Sequence, residues 1–406
     1  MPMDKYIDIK NKLIAVALLT SLSFFTAANA KQNSSTAAEA TAAEANLSFW
    51  DIPILKKAFI DATPADRKDG VSVGELGIDS GNKDMIVKLA KEIADGKHGT
   101  FDSLLISHKG KLLFESYYNR GRINFPHPQA SATKAYTGLA LGRAIQLGYL
   151  TMADLDKPLV SFLKDLDPTK FADGAELITL NKALNMSSGI RITKEQKEEI
   201  NKNPEQLKGQ REVQAWLEHS APITAESQSF KYGSDASLVM QVIDAVVPGT
   251  AKNFIKNELL NKIGITNYRW PTNVNGLPQA GSRTSIKSRD MLKWGRLAMN
   301  KGKWNGEQLI SKAFITKAIN RNIYTGDDDI YGGGKDVSNV GYSSFWWNAN
   351  LKYDNKNYFT ANAQGGGGQY IILVEELDLM VVVTALDNDN TTLQIVAERI
   401  LPAFVK

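Results

Sequence analysis

Ser131 and Lys134 stand three residues apart in Ser131-Ala132-Thr133-Lys134. An irregular stretch with two prolines, Asn124-Phe125-Pro126-His127-Pro128-Gln129-Ala130, passes there into a helix-forming run, Ala135 to Leu150. A serine at the start of a helix has its hydroxyl beside unpaired backbone N–H groups and the positive end of the dipole. A lysine three residues on lies on the same face, one turn away. An amine beside a hydroxyl is the minimum equipment for a nucleophile and its base. The spacing alone is common. Ser80-Gly81-Asn82-Lys83 and Ser161-Phe162-Leu163-Lys164 repeat it in this chain. Ser80 lies in a Gly/Asp/Asn loop. Ser161 lies in a helical stretch, where ordinary backbone bonding occupies a hydroxyl.

Two further segments carry groups that suit the same chemistry. Phe230-Lys231-Tyr232-Gly233-Ser234 precedes an apolar helical run, Asp235 to Val246. If the segment is extended, Tyr232 and Ser234 point the same way. A phenol beside a lysine amine can relay protons to and from a leaving group. Gln364-Gly365-Gly366-Gly367-Gly368-Gln369 interrupts two strand signals, Phe359 to Ala363 and Tyr370 to Val374. Each glycine costs about 0.5–1 kcal/mol relative to alanine, so four cost on the order of 2–4 kcal/mol. Two readings of that run stand side by side. Bare backbone can approach a substrate and offer N–H groups to an oxyanion, or the run is a hairpin turn or bulge.

Ser131-x-x-Lys134, then Tyr232-x-Ser234, then a glycine-bearing late strand, resembles the serine β-lactamase and penicillin-binding protein superfamily. The likeness is closest to its class C-like branch of esterases and amide hydrolases, which includes 6-aminohexanoate-dimer hydrolase. Further matches run from about Asp84 to Ala385: Leu104-Leu105-Ile106 with Gly110-Lys111-Leu112, Ile178-Thr179-Leu180 through Leu184-Asn185-Met186-Ser187-Ser188-Gly189, Trp304-Asn305-Gly306, Phe345-Trp346-Trp347, and Ala363-x-Gly365-x-x-Gly368-Gln369. The resemblance implies that Ser131 is the acylated nucleophile, Lys134 its general base and Tyr232 the proton relay, with Ser234 a supporting hydroxyl. It places the oxyanion hole at the backbone N–H groups of Ser131 and Gly366. Gln364, Gly365, Trp346 and Trp347 would flank the substrate. Neighbouring tryptophans on a strand point to opposite faces, so one of the two belongs to the core. Two departures bear on substrate. Many relatives carry K-T-G where this chain has Gln364-Gly365-Gly366, and class C lactamases end the middle motif in asparagine where this chain has Ser234. Both remove groups that hold a β-lactam carboxylate. They favour an ester or a linear amide. The alternatives are β-lactamase or D-Ala-D-Ala peptidase activity, or a silent penicillin- or peptidoglycan-binding protein.

The elements that must bring these groups together are legible in outline. Asp84 to Gly96 reads as a helix. Ser103 to Ser107 and Lys111 to Glu115 read as a hairpin. Thr151 to Asn320 is mostly helical, and Ser343 to Asn350, Tyr358 to Ala363, Gln369 to Val374 and Leu379 to Ala385 read as strands before a last helix, Thr392 to Val405. Strands at both ends around a helical middle predict an α+β fold. This is a β-lactamase/transpeptidase-like arrangement, an antiparallel sheet flanked by helices with an inserted all-helical lobe. The expected boundaries are a sheet lobe at about 47–150 and 321–406 and a helical lobe at about 151–320, with the site in the cleft between them.

The first residues read as an export signal, 1–30. Lys5, Lys10 and Lys12 form a basic head, Leu13 to Ala27 is apolar, and Ala28-Asn29-Ala30 is a cleavage site. Residues 31–46 form a low-complexity Ala/Ser/Thr/Glu linker before folded sequence near Leu47. The expected location is periplasmic or secreted, with no stable membrane span after cleavage. The chain has 406 residues, a net charge of +4 and no cysteine. That balance gives no nucleic-acid footprint, and thiolate and disulfide chemistry are excluded. His98, His108, His127 and His219 lack metal-ligand spacing and take surface or loop roles by default. Gly70-Val71-Ser72-Val73-Gly74 spells a nucleophile elbow but lacks the strand before it and the helix after it. The resemblance implies no cofactor, no metal and no partner protein, only a small-molecule ester or amide substrate.

Overall fold

Leu104-Leu105-Ile106, Tyr370 to Val374 and Leu379 to Val383 are apolar at successive positions, and a strand is stable in that form when both its faces are covered. The computed structural model describes residues 37–326, 333–387 and 391–405. Its main sheet has nine strands: β1 (Phe59–Asp61), β2 (Phe101–His108), β3 (Lys111–Tyr117), β4 (Ile323–Tyr324), β5 (Val337–Ser343), β6 (Trp346–Tyr353), β7 (Lys356–Gly365), β8 (Gln369–Val374) and β9 (Leu379–Ala385). Their spatial order is β1-β3-β2-β9-β8-β7-β6-β5-β4, antiparallel throughout. The pairing of β9 with β2 joins the two chain ends into one sheet, from Leu379↔His108 to Ala385↔Phe101.

Side chains of these strands alternate between two cores. Leu105, Ile371, Leu373, Met380 and Val382 face helices α2 (Thr133–Gln146) and α4 (Ser288–Met299). Leu104, Ile106, Ile372, Val374, Val381 and Val383 face α1 (Lys83–Ala94) and the C-terminal helical run from Thr392 to Phe404. α2 is buried on every side from Thr133 to Ile145, as expected of a helix that is apolar all round. At Gly142 an added Cβ would lie 2.6 Å from side-chain atoms of Ile310 and Phe314, so glycine is what lets neighbouring chain come that close.

Several details differ from expectation. The predicted strand Ser343 to Asn350 is two strands, because Ser344 (φ 45°) and Phe345 (φ 72°) turn the chain between β5 and β6. The inserted region is helix-rich, with α3 (Ala236–Val246) at its centre, yet it is not all helical. It contributes to a small sheet of His127–Pro128, Ser285–Ile286 and Tyr268–Arg269, and carries a hairpin at Lys303–Trp304 and Glu307–Gln308. α4 lies on the main sheet, with Trp294 stacked on Tyr136 of α2 at 5.0 Å. Ordered chain begins before Leu47. Ala38 and Ala40 are buried. Ala38 accepts the Ile123 N–H at 2.8 Å, and Asn124 bonds both polar groups of the Ala40 backbone. Alanines can thus dock where the partner supplies the hydrogen bonds. The expected export signal and residues 31–36 of the linker lie outside the described residues. Among the described residues, no helix is long and apolar enough to cross a membrane.

Candidate active site

The turn before α2 is fixed from several sides. Ser131 sits in a 3₁₀ turn, Ala130–Ala132. Gln129 is fully buried, its N–H donates to Thr284 O at 2.8 Å and its side chain joins Tyr136 Oη to His127 O. Thr133 Oγ1 donates to Ala130 O at 2.7 Å. Ala130 has φ 45°, a left-handed conformation that costs a residue with a Cβ about 1–2 kcal/mol. The surrounding bonds hold that strain beside the half-buried Ser131.

Lys134 meets Ser131 directly. Its Nζ donates to Ser131 Oγ at 3.0 Å and to Gly281 O at 2.9 Å. The side chain is 6% exposed, and burial alone brings its amine down to about 8. Like-charge repulsion, which can also lower an amine, is not among the causes here. Nζ also lies 4.8 Å from the centre of the Tyr232 ring. Burial raises the Tyr232 phenol above its ordinary value, and the adjoining Ser131 hydroxyl and Trp347 indole oppose the rise. Segments 101 residues apart, at Ser131 and Tyr232, therefore share one hollow.

That hollow is a cavity of about 550 Å³ lined by Ser131, Phe230, Lys231, Tyr232, Trp347, Gln364, Gly365 and Gly366. The glycine run forms both a wall and a turn. A Cβ on Gly365 would lie 2.2 Å from Gln129 O and 3.0 Å from Ala132 N, so only glycine lets β7 touch the nucleophile turn. Gly367 (φ 87°) and Gly368 (φ 95°) make the β7–β8 hairpin. Gly366 has open space around a built Cβ. Among the described residues, neither its N–H nor that of Ser131 has an acceptor. Two free donors at one cavity can receive the charge of a tetrahedral oxyanion.

The other anticipated residues divide. Trp347 borders the cavity, its ring 5.3 Å from that of Tyr232. Trp346 is 1% exposed and belongs to the core. Ser234 lies just before α3. The chain is not extended there but turns into α3, and Ser234 borders a neighbouring cavity of about 270 Å³ with Ile190, Lys197, Trp216 and Tyr232. Phe230, Lys231 and the Gly281 carbonyl were not anticipated. The first two flank Tyr232 in sequence and were open to inference. A backbone carbonyl carries no residue-type signal.

The competing motifs fall away on geometry. Ser161 Oγ donates to Pro158 O at 2.6 Å and Lys164 is exposed. Lys83 pairs with Glu75 at 3.6 Å rather than with Ser80. Gly70 to Gly74 runs as irregular chain bridged to Leu112. Two histidines are not at the surface. His127 is buried and its Nε2 lies 2.9 Å from Asp102 Oδ2, and His108 is buried against Phe404. His108 is the last residue of β2, and His127 packs against the Phe49 ring at 4.4 Å. Among the described residues there is no cluster of potential metal ligands.

Comparison with known proteins bears on the whole of this architecture. A family model described as Beta-lactamase matches residues 89–402. No curated protein matches the chain. Solved structures that it resembles include a Bacillus anthracis protein assigned as a 6-aminohexanoate-dimer hydrolase, at 18% identity and a TM-score of 0.55, covering 75% of this chain and 77% of that one. A D-stereospecific amidohydrolase from a Streptomyces species matches at 15% identity and a TM-score of 0.56, over 77% and 97%. A class C β-lactamase matches at 14% identity and a TM-score of 0.57, over 80% and 96%. Identities this low speak for the fold alone, whereas the family model spans most of the chain: this protein belongs to the Beta-lactamase family.

Proposed function

We propose that this protein is a serine hydrolase that cleaves an ester or linear amide through an acyl-enzyme on Ser131. Ser131 Oγ attacks the substrate carbonyl carbon while its proton passes to the neutral Lys134 amine. The resulting oxyanion lies between the N–H groups of Ser131 and Gly366. As the intermediate collapses, the bond to the leaving alkoxide or amine breaks, and that group takes a proton from Tyr232, which recovers one from Lys134. Water then repeats the sequence on the acyl-enzyme and releases the acid. The observation that carries this reading is the 3.0 Å contact of Lys134 Nζ with Ser131 Oγ at the cavity shared with Tyr232 and Gly366.

The cavity's aromatic lining of Phe230, Tyr232 and Trp347 suits an apolar acyl group. Gln364 stands at the cavity where relatives with K-T-G place a cation. The amide-cleaving names among the structural neighbours favour the same class of substrate. Lys231 also borders the cavity, and it is the observation that favours a second reading, a β-lactam held by its carboxylate. We further propose export, directed by residues 1–30. A panel of short-chain p-nitrophenyl esters, linear amides and nitrocefin tests the assignment. Esters should turn over far faster than nitrocefin; the reverse order would restore the β-lactam reading.

A further inference from the structure

We infer that Ser188 and Asp235 are positioning residues that aim the Tyr232 phenol at the leaving group. The inference rests on the role given to Tyr232 above. Tyr232 lies on irregular chain between Phe230 and α3, and is 38% exposed. A phenol on such a loop needs anchors on both sides. Upstream, Lys231 N–H donates to Met186 O at 2.8 Å. Downstream, the Asp235 carboxylate accepts from Ser188 N at 3.1 Å and Ser188 Oγ at 2.9 Å. Both anchors are therefore on one short segment, 186–188.

Two observations separate this from ordinary helix capping. Asp235 occupies the N-cap position of α3, where an aspartate normally accepts an N–H from its own helix. Here it accepts no such capping bond, and the carboxylate is spent on Ser188, 47 residues away. The segment it binds is also tied to the opposite wall of the cavity. Asn185 Oδ1 accepts from Ser344 N at 3.2 Å and Leu184 O from Phe345 N at 3.1 Å. Those bonds fix the β5–β6 turn that leads into Trp347. One stretch, Leu184 to Ser188, thus sets both Tyr232 and the Trp347 ring against it. Burial raises Asp235 to about 6, so at pH 7 it remains mainly ionised and can accept both bonds.

The test uses leaving-group dependence. A p-nitrophenolate leaves without a proton, whereas an alkoxide or an amine needs one. Ser188→Ala and Asp235→Asn should lower kcat/KM, which reads acylation alone, on ethyl or butyl esters and on anilides by about 30-fold or more, somewhat less than the ~10²–10⁴ lost with a general acid itself. On p-nitrophenyl esters the same variants should lose less than about threefold. Ser188→Thr keeps the hydroxyl and should recover the alkyl-ester rate, which also carries the comparison if either of the first variants folds poorly. Equal losses on both substrate classes, or no loss on either, would overturn the inference. Ser131→Ala runs in parallel: if it remains active the proposed function fails, and if it is inactive while Ser188→Ala is indifferent to leaving group, only the positioning role fails.

Discussion

Lys134 can accept the Ser131 proton only as a free amine. Burial holds it at about 8, so kcat/KM should rise with pH through about 8 and fall about tenfold per unit well below it. A profile flat from pH 6 to 9 would exclude Lys134 as the base. The same shift has a signature in stability. The amine loses its proton at lower pH in the folded state than in the unfolded chain. Folding therefore bears the full cost below about 8, and regains it as pH rises from there towards the ordinary value of 10.5. That cost is on the order of 3 kcal/mol, against about 1–3 kcal/mol for leaving the Gly281 carbonyl unpaired. Lys134→Met should therefore be inactive yet at least as resistant to urea as the parent at pH 7. A clear loss of stability would mean that the amine is a structural tie instead. Ser131→Ala should remove at least ~10⁴ from kcat, because only binding and oxyanion contacts remain. Ser80→Ala and Ser161→Ala should leave kcat nearly unchanged, and a large loss in either would move the nucleophile.

The glycine run shows what elements add to residues. Its cost in the sequence left two readings open, a substrate-facing wall and a hairpin turn. The fold separates them: Gly365 admits the nucleophile turn, Gly367 and Gly368 reverse the chain, and Gly366 is sterically free. Gly365→Ala should destabilise by about 1–3 kcal/mol through overpacking and cut kcat by about 100-fold, the cost of displacing a reacting group by about 1 Å. Gly366→Ala keeps its N–H and should be tolerated. Equal behaviour of the two variants would remove the close approach from the account. The late strands were legible almost to the residue because Tyr370–Val374 and Leu379–Ala385 are continuous apolar runs bounded by turn residues. The break at Ser344-Phe345 was hidden because a bulky residue such as Phe345 rarely takes a positive φ; tertiary bonds from Leu184 and Asn185 hold it.

At the scale of the molecule, the order of motifs along the chain carried more than any single motif. Ser131-x-x-Lys134 occurs three times as a spacing, and only the copy whose helix enters the core meets a tyrosine and a glycine wall. The sheet that unites chain ends and the helix-rich insertion between them followed from periodicity. The docking of Ala38 and Ala40, and of α4 on the sheet, did not, because each depends on a partner surface that no local pattern encodes. The central claim is that Ser131 becomes covalently acylated. Intact-mass measurement after treatment with a fluorophosphonate, followed by peptide mapping, tests it most directly. The wild-type protein should gain one phosphonyl adduct, located on Ser131, and Ser131→Ala should gain none; an unlabelled wild type, or an adduct on another residue that persists in Ser131→Ala, would contradict the account.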